Sequence, residues 1–344
     1  MIAVFGASGH TGRFVVAELL RCGFAPVAIG RDAARLAEAG LADRGVEIRT
    51  ATIDDPESLD RALSGVRAVI NCAGPFLDTA EPIVEAALRR RVHYLDVTAE
   101  QASALSTFER FGERARSAGI VIVPAMGFYG GLADMLATAA MDDWTSADEI
   151  RIAIALDSWR PTRGTRLTGE RNTVQRVVVS DGRLVPVADP APAAQWDFPE
   201  PYGTQAVVEV PLTEMILLNR HLRVAEIHNF INLAPLRDLG NAETPPPTPA
   251  DDSGRSAQTF LVDVTARRGS DERRITVRGR DIYAFTAPLV VEAAQRILNR
   301  EVTAGGVFAP GAIFDARSFL ASLAPANLIV VSEEPVTGNS ATRP

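Results

Sequence analysis

Residues 2–23 read as strand, glycine turn and helix with nothing between them, and that order constrains the rest of the chain. IAVF (2–5) is an apolar run of strand length, GASGHTG (6–12) is a turn, and RFVVAELLRCG places Phe14, Val15, Leu19 and Leu20 at helical spacing with Gly23 as a stop. In this setting the three glycines have separate tasks. Gly6 permits the tight turn, Gly9 leaves room for a pyrophosphate against the backbone, and Gly12 lets the helix seat on the strand. Ser8, His10 and Thr11 complete the turn. Free N–H groups at the helix start attract an anion. The spacing is GxxGxxG rather than GxGxxG, and its placement directly between a strand and a helix marks a dinucleotide site.

The pattern then repeats. Strands are predicted at 26–30, 46–51, 67–71, 93–97 and 120–124, with helices at 31–42, 56–63 (capped by Asp55), 79–90 and 101–117. Such alternation implies βαβ units and a parallel sheet. The fold class is α/β: an N-terminal Rossmann doubly wound sheet, followed by a second α+β domain. A ligand crevice lies beyond the carboxyl ends of the strands, so turns 6–12, 30–32, 53–55, 71–76, 97–100 and 125–130 should surround one cleft. Further on, residues 149–156, 205–210, 226–232, 259–266 and 273–277 read as strands that alternate apolar and polar residues, which predicts a sheet with one open face. Leu289–Leu298 is helical and the Pro-rich stretch 241–254 is a loop. At 344 residues the chain has room for about two domains. The division expected is a dinucleotide-binding domain over 1–130, a substrate and dimerisation domain over 131–282, C-terminal helices and a strand over 283–332, and a flexible tail over 333–344.

Candidate site residues follow from these turns. Arg31 stands after strand two, where an acid would bind the ribose of NAD; a guanidinium fork suits the 2′-phosphate of NADP, which is expected in preference to NAD. Asp32 reads as a helix cap. Asp54 either meets the adenine edge or shares capping with Asp55. Asn71, Ala73, Gly74 and Pro75, after strand four, and Thr98, after strand five, complete the expected cofactor set. Cys72 is either a nucleophile or a small buried thiol. Tyr129, after strand six, is either a proton donor or an aromatic wall, with Tyr283 and His228 as other acid candidates. Arg160, Arg163 and Arg166, with Thr165 and the nearby Arg171, form either an anion clamp for the substrate or a solvated loop.

Composition narrows the chemistry. All 35 basic residues are arginine. A chain without lysine has no P-loop lysine, forms no Schiff base, and cannot place a Tyr-x-x-x-Lys pair beside a nicotinamide. Codon bias accounts for the pattern, and the exclusions hold whatever its origin. Two cysteines make no disulfide framework, and the four histidines show no metal spacing. A net charge of −8 argues against nucleic acid as a partner. With no apolar run of about 18 residues and no basic leader before the first strand, a cytoplasmic protein without a membrane span is expected. Exposed sheet edges suggest a homodimer.

The segments GASGHTGRFVVAELL, VINCAGPF and EAALRRRVHYLDVTAE resemble the saccharopine dehydrogenase-like family of NAD(P)-binding oxidoreductases, including its branch of trans-acting enoyl reductases. NCAGPF followed by YLDVTAE is the most specific part. The resemblance covers residues 1–135 and continues more weakly through RGTRLTG (163–169), RGRDIYAFTA (278–287) and GGVFAPGAIF (305–314). It implies a Rossmann domain, a substrate domain, and C-terminal elements that return to the first domain. Ala99 stands where the family often has glycine, and the catalytic lysines of the lysine-pathway members are missing. The function expected is an NADP-dependent oxidoreductase moving a hydride to or from a C=C, C=N or C=O bond of a small or lipid-like molecule. The alternatives are a non-catalytic NADP-binding sensor or scaffold, and a structural subunit stabilised by the nucleotide.

Overall fold

A computed structural model describes residues 1–336. In chain order the first half contains β1 (Ile2–Phe5), α1 (His10–Arg21), β2 (Pro26–Gly30), α2 (Ala33–Glu38), β3 (Glu47–Thr50), α3 (Pro56–Ala62), β4 (Ala68–Asn71), α4 (Phe76–Arg90), β5 (His93–Asp96), α5 (Gln101–Ala118), β6 (Val121–Val123) and α6 (Ala133–Met141). Next come β7 (Ala147–Leu156), α7 (Arg163–Arg171), β8 (Val177–Ser180), β9 (Arg183–Pro186), β10 (Ala193–Asp197), β11 (Thr204–Glu209), α8 (Glu214–Asn219), β12 (Val224–Asn232) and α9 (Leu233–Gly240). The chain continues through β13 (Thr259–Arg268), β14 (Asp271–Arg280), α10 (Ile282–Leu298), β15 (Gly306–Val307), α11 (Pro310–Ile313), α12 (Ala316–Leu323) and β16 (Ile329–Val336).

The first sheet is wholly parallel, in the order β15-β6-β5-β4-β1-β2-β3. Strands β1, β2 and β4 are buried throughout, because helices cover both faces of such a sheet. Alternation along β1 divides the packing. Ile2 and Val4 join the core beneath α1 with Val15, Val16 and Leu19, whereas Ala3 and Phe5 face Ile83, Val84 and Phe111 of α4 and α5. The seventh strand, β15, returns from the C-terminal part to pair with β6, and α10 packs on α1.

Two helix boundaries depart from the periodicity, each because of a cap. Asp32 accepts from the backbone N–H of Ala34 and Arg35, so α2 starts at Ala33. Helix α4 starts at Phe76 rather than at 79, because the Glu100 carboxylate, from the next βα turn, accepts from the N–H groups of Phe76 and Leu77 at 2.7 and 3.0 Å. A cap supplied from 24 residues downstream leaves no local trace.

The second sheet runs β10-β11-β12-β7-β13-β14-β16, with β8 and β9 attached at β12. Strands β7 and β12 are parallel; the other pairs are antiparallel. Its inner face, Ile150, Ile152, Ile154, Val262 and Val264, belongs to the main core. The open face expected from alternation is only partly open. Trp196, Phe198 and Phe230 cover Ala153, Ala155 and Leu261, and the Arg151 guanidinium lies over the Trp196 ring at 4.8 Å. The frayed tail expected from 333 is corrected in part: Glu333–Val336 pair with β14, and residues 337–344 lie outside the described ones. Within 283–332, α10 and β15 pack on the first domain, whereas β16, which starts at Ile329, belongs to the second sheet.

Candidate active site

The turns after β1, β2, β3, β4, β5 and β6 all reach one cleft of about 650 Å³. At its phosphate end Gly6 has φ +81°, a conformation that favours glycine. Its carbonyl accepts from Gly9 N–H at 2.9 Å. A Cβ on Gly12 would stand 2.2 Å from the Gly6 oxygen, so Gly12 seats the helix against the turn and does not line the cleft. Gly9, Ser8, His10 and Thr11 do line it. The His10 ring lies edge-on to Phe14 and Tyr283, at 5.3 and 5.4 Å. Its Nε2 is buried without a protein partner. Burial lowers the His10 pKa, Asp281 opposes this and Arg13 adds to it.

At the adenine end Arg31 is exposed on the cleft rim and Arg35 joins it. Asp32, between them, is committed to its cap. Asp54 lines the cleft; the capping of α3 falls to Asp55, which accepts from Glu57 and Ser58 N–H.

Ala73, Gly74 and Pro75 line the far half together with Cys72. Burial pushes the Cys72 thiol well up, with Asp96 adding to the effect, which disfavours a thiolate nucleophile. Asn71 and Thr98 are corrected: both are fully buried behind the wall. Asn71 donates to Thr79 Oγ1 and the Tyr94 hydroxyl and accepts from Ala73 N–H. Thr98 accepts from Glu100 N–H and donates its own N–H to Asp96. Both shape the turns the cofactor would meet. Asp96 also accepts from Ala125 N–H and the Tyr94 hydroxyl; burial outweighs these bonds and pushes its carboxyl up to about 6.

Tyr129 forms an aromatic wall. Its ring stacks on Trp159 at 5.2 Å and 26° and meets Phe128 edge-on. Its hydroxyl is buried with no protein partner, and burial raises its pKa far above the ordinary value, with Tyr283 and Glu214 adding. Tyr283 is corrected from acid to positioning residue. Its hydroxyl accepts from Trp159 Nε1 (3.1 Å) and Thr162 N–H (3.4 Å) and bonds Thr165 Oγ1 (2.9 Å), which pins α7 over the cleft. His228 is corrected outright: it sits on β12 outside the cleft, with Nδ1 2.6 Å from Glu209 Oε1.

The arginine clamp is also corrected. Arg163 lines the cleft beside Thr165. Arg160 lines a second cavity of about 250 Å³ that shares only Tyr283 with the first, and it donates to Thr248 Oγ1. Arg166 donates to the carbonyls of Asn241 and Thr244, and Arg171 pairs with Asp78 at 2.7 Å. Sequence reasoning missed Arg35, Glu100, Trp159, Thr162 and Thr168. Arg35 stands four residues after Arg31 within the helix expected over 31–42, a spacing that could have found it. Trp159 and Thr162 reach the cleft only because β7 ends there.

A parallel sheet of this strand order, with a glycine turn at its switch point, defines a dinucleotide-binding Rossmann domain, here joined to a mixed-sheet domain. Residues 2–123 match the family described as saccharopine dehydrogenase NADP binding domain. Over its N-terminal domain the chain is similar to this NADP-binding family. It is 28% identical over 181 residues to a probable mitochondrial saccharopine dehydrogenase-like oxidoreductase of Arabidopsis thaliana, covering 47% of this chain and 40% of that one. It is 27% identical over 146 residues to a lipid droplet localized protein of Caenorhabditis elegans, covering 39% of this chain and 34% of that one. The chain thus spans well under half the length of these relatives. An apo saccharopine dehydrogenase (L-Glu forming) from Saccharomyces cerevisiae shares the fold over both domains, with a TM-score of 0.70 at 14% identity, covering 98% of this chain and 99% of that one. The cytoplasmic expectation is corrected, because the names of relatives point to the mitochondrion and the lipid droplet.

Proposed function

We propose that the chain is an NADP-dependent oxidoreductase that moves a hydride to or from a C=C, C=N or C=O bond of a small, apolar or lipid-like molecule. One observation carries the reading: a single cleft runs from the glycine turn, past Arg31 and Arg35, to the Tyr129–Trp159 wall. The residues fit a dinucleotide. Gly9 leaves the backbone open at the start of α1, and the buried His10 Nε2 is unsatisfied beside it. When bound, the nicotinamide supplies the hydride chemistry, and the protein supplies orientation and exclusion of water. Arg31 and Arg35 would face the 2′-phosphate. Phe76, Trp159, Leu167 and Ile282 wall the acceptor end. That end carries one guanidinium, Arg163, which suits an acceptor with at most one anionic group. Tyr129 or an ordered water provides the proton.

Arg31→Ala should raise the NADPH dissociation constant roughly tenfold or more, because a charged hydrogen bond contributes about 1.5–3 kcal/mol, and should leave NADH nearly unaffected. Titration calorimetry with both nucleotides checks this; equal losses would show that Arg31 does not select the phosphate. We propose in addition that the chain is a homodimer, since Ile329, Val330 and Val331 stay exposed on β16 at the edge of the second sheet. Sedimentation equilibrium that returns the monomer mass at micromolar protein would refute it.

A further inference from the structure

Among the described residues, α7 is the only α-helix with no buried residue. Nothing from Thr162 to Val177 is buried. The ends of this stretch are fixed. On one side Trp159 and Pro161 are buried, and Trp159 N–H donates to Asp238 at 3.0 Å. On the other, the Gln101 amide makes two hydrogen bonds with the Val177 backbone, at 2.8 and 2.9 Å. Between these anchors the helix is weak. Nine residues are too few for an isolated helix to hold in water, and Gly164 and Gly169 lower its propensity further. A Cβ on Gly169 would meet nothing within 4 Å, so packing does not require glycine there. What holds α7 is polar. The Tyr283 hydroxyl bonds Thr162 N–H and Thr165 Oγ1, Arg166 donates to the carbonyls of Asn241 and Thr244, and Arg171 pairs with Asp78. Its one large apolar side chain, Leu167, lines the cleft and is 39% exposed. A segment with so few buried apolar contacts opens locally at low cost.

We propose that α7 is a lid over the acceptor end of the cleft, strung between Pro161 and Val177, and that an apolar acceptor closes it by packing on Leu167. The inference rests on the hydride-transfer reading. Without an acceptor Leu167 stays wet, and α7 exchanges between a docked and a detached position. The Tyr283 hydroxyl is its catch, since it alone makes two bonds to the start of the stretch. An acceptor that covers Leu167 binds only the docked helix, so it shifts the exchange toward closure. Closure then keeps water from the reacting atoms. The helix gains from the acceptor the apolar partner that its own sequence does not supply. Contact with Leu167 is the same before and during hydride transfer, so it acts on KM.

Trypsin cuts after arginine, and Arg163, Arg166, Arg171 and Arg176 all lie in the stretch. The rate of cleavage there, followed by mass spectrometry on the full chain, reads how often the lid is detached. These sites should be among the first cut. Tyr283→Phe should speed the cuts about tenfold, through the loss of two hydrogen bonds, and Gly169→Ala should slow them about two- to fivefold. A stretch that stays intact while other sites are cut, or rates that either variant leaves unmoved, overturns the lid. NADPH oxidation over a panel of 2-enals, alkylquinones and cyclic imines picks the acceptor that the parent reduces fastest. Together with NADP+, which cannot reduce it, that acceptor should protect the stretch about tenfold. Leu167→Ser should abolish the protection and raise KM about tenfold, as expected from the loss of one buried leucine. Absent protection in the parent, protection that survives Leu167→Ser, or a loss that falls on kcat instead of KM overturns closure by the acceptor. No turnover by the parent with any member of the panel defeats the hydride-transfer reading instead, and the Tyr283→Phe and Gly169→Ala cleavage rates then judge the lid.

Discussion

A Gly9→Val chain should fold and lose nucleotide binding by more than a hundredfold. Gly9 has φ −71° and ψ 167°, extended backbone that valine adopts readily. The added Cβ would meet only the Gly6 carbonyl oxygen, at 3.1 Å, a contact that a small shift relieves. Its methyls would fill the space at the start of α1 where the pyrophosphate must approach the N–H groups. Charged hydrogen bonds there contribute about 1.5–3 kcal/mol each, and the loss of two exceeds the roughly 2.7 kcal/mol that a hundredfold represents. Gly12→Ala should behave differently. Its Cβ would lie 2.2 Å from the Gly6 oxygen and 3.0 Å from Ala7 Cα, both backbone atoms, so α1 must lift. Overpacking of this kind costs about 1–3 kcal/mol, and the thermal midpoint should drop along with affinity. Calorimetric titration with NADPH and a melting curve separate the two variants. Undiminished affinity in Gly9→Val would leave the turn a structural feature only.

The same turn shows why so much of the first domain was legible. Strands β1, β2 and β4 are short, buried on both faces and bounded by glycine or polar residues, so their signal is local. The cleft inherits that legibility, because each lining turn is covalently continuous with a strand end. What failed depends on partners remote in sequence. Arg166 and Arg171 looked like clamp members until Asn241, Thr244 and Asp78 claimed them. Tyr283 looked like an acid until Trp159 and Thr165 took its hydroxyl. Asn71 and Thr98 belong to the right turns with side chains directed into the protein, a matter of orientation that spacing along the turn does not encode. The missing lysine remains a constraint on chemistry. The cleft-lining cations are Arg31, Arg35 and Arg163, and none of them can form a Schiff base.

Asp263→Ala should destabilise the protein by about 3–5 kcal/mol, the range for removing one partner of a buried ion pair. Asp263 lies on β13, fully buried beneath Trp196. It accepts from Arg274 Nε, Thr276 Oγ1 and Trp196 Nε1, each at 2.8 Å, and Arg274 Nη2 bridges it to the Asp197 carbonyl. The alanine would leave a half-buried guanidinium with only the Asp197 carbonyl as a hydrogen-bond acceptor, together with a threonine hydroxyl and an indole N–H without acceptors. The uncompensated charge dominates, so the double variant Asp263→Leu with Arg274→Met should regain most of the loss, as apolar replacement of a whole buried pair often does. Urea denaturation of the single and double variants measures both effects. The folded fraction of each should still bind NADPH with the parent affinity, since every residue of the network lies on the second sheet or at its edge, away from the cleft. A single variant as stable as the parent would show that Trp196 and Phe230 hold the outer face without the ion pair.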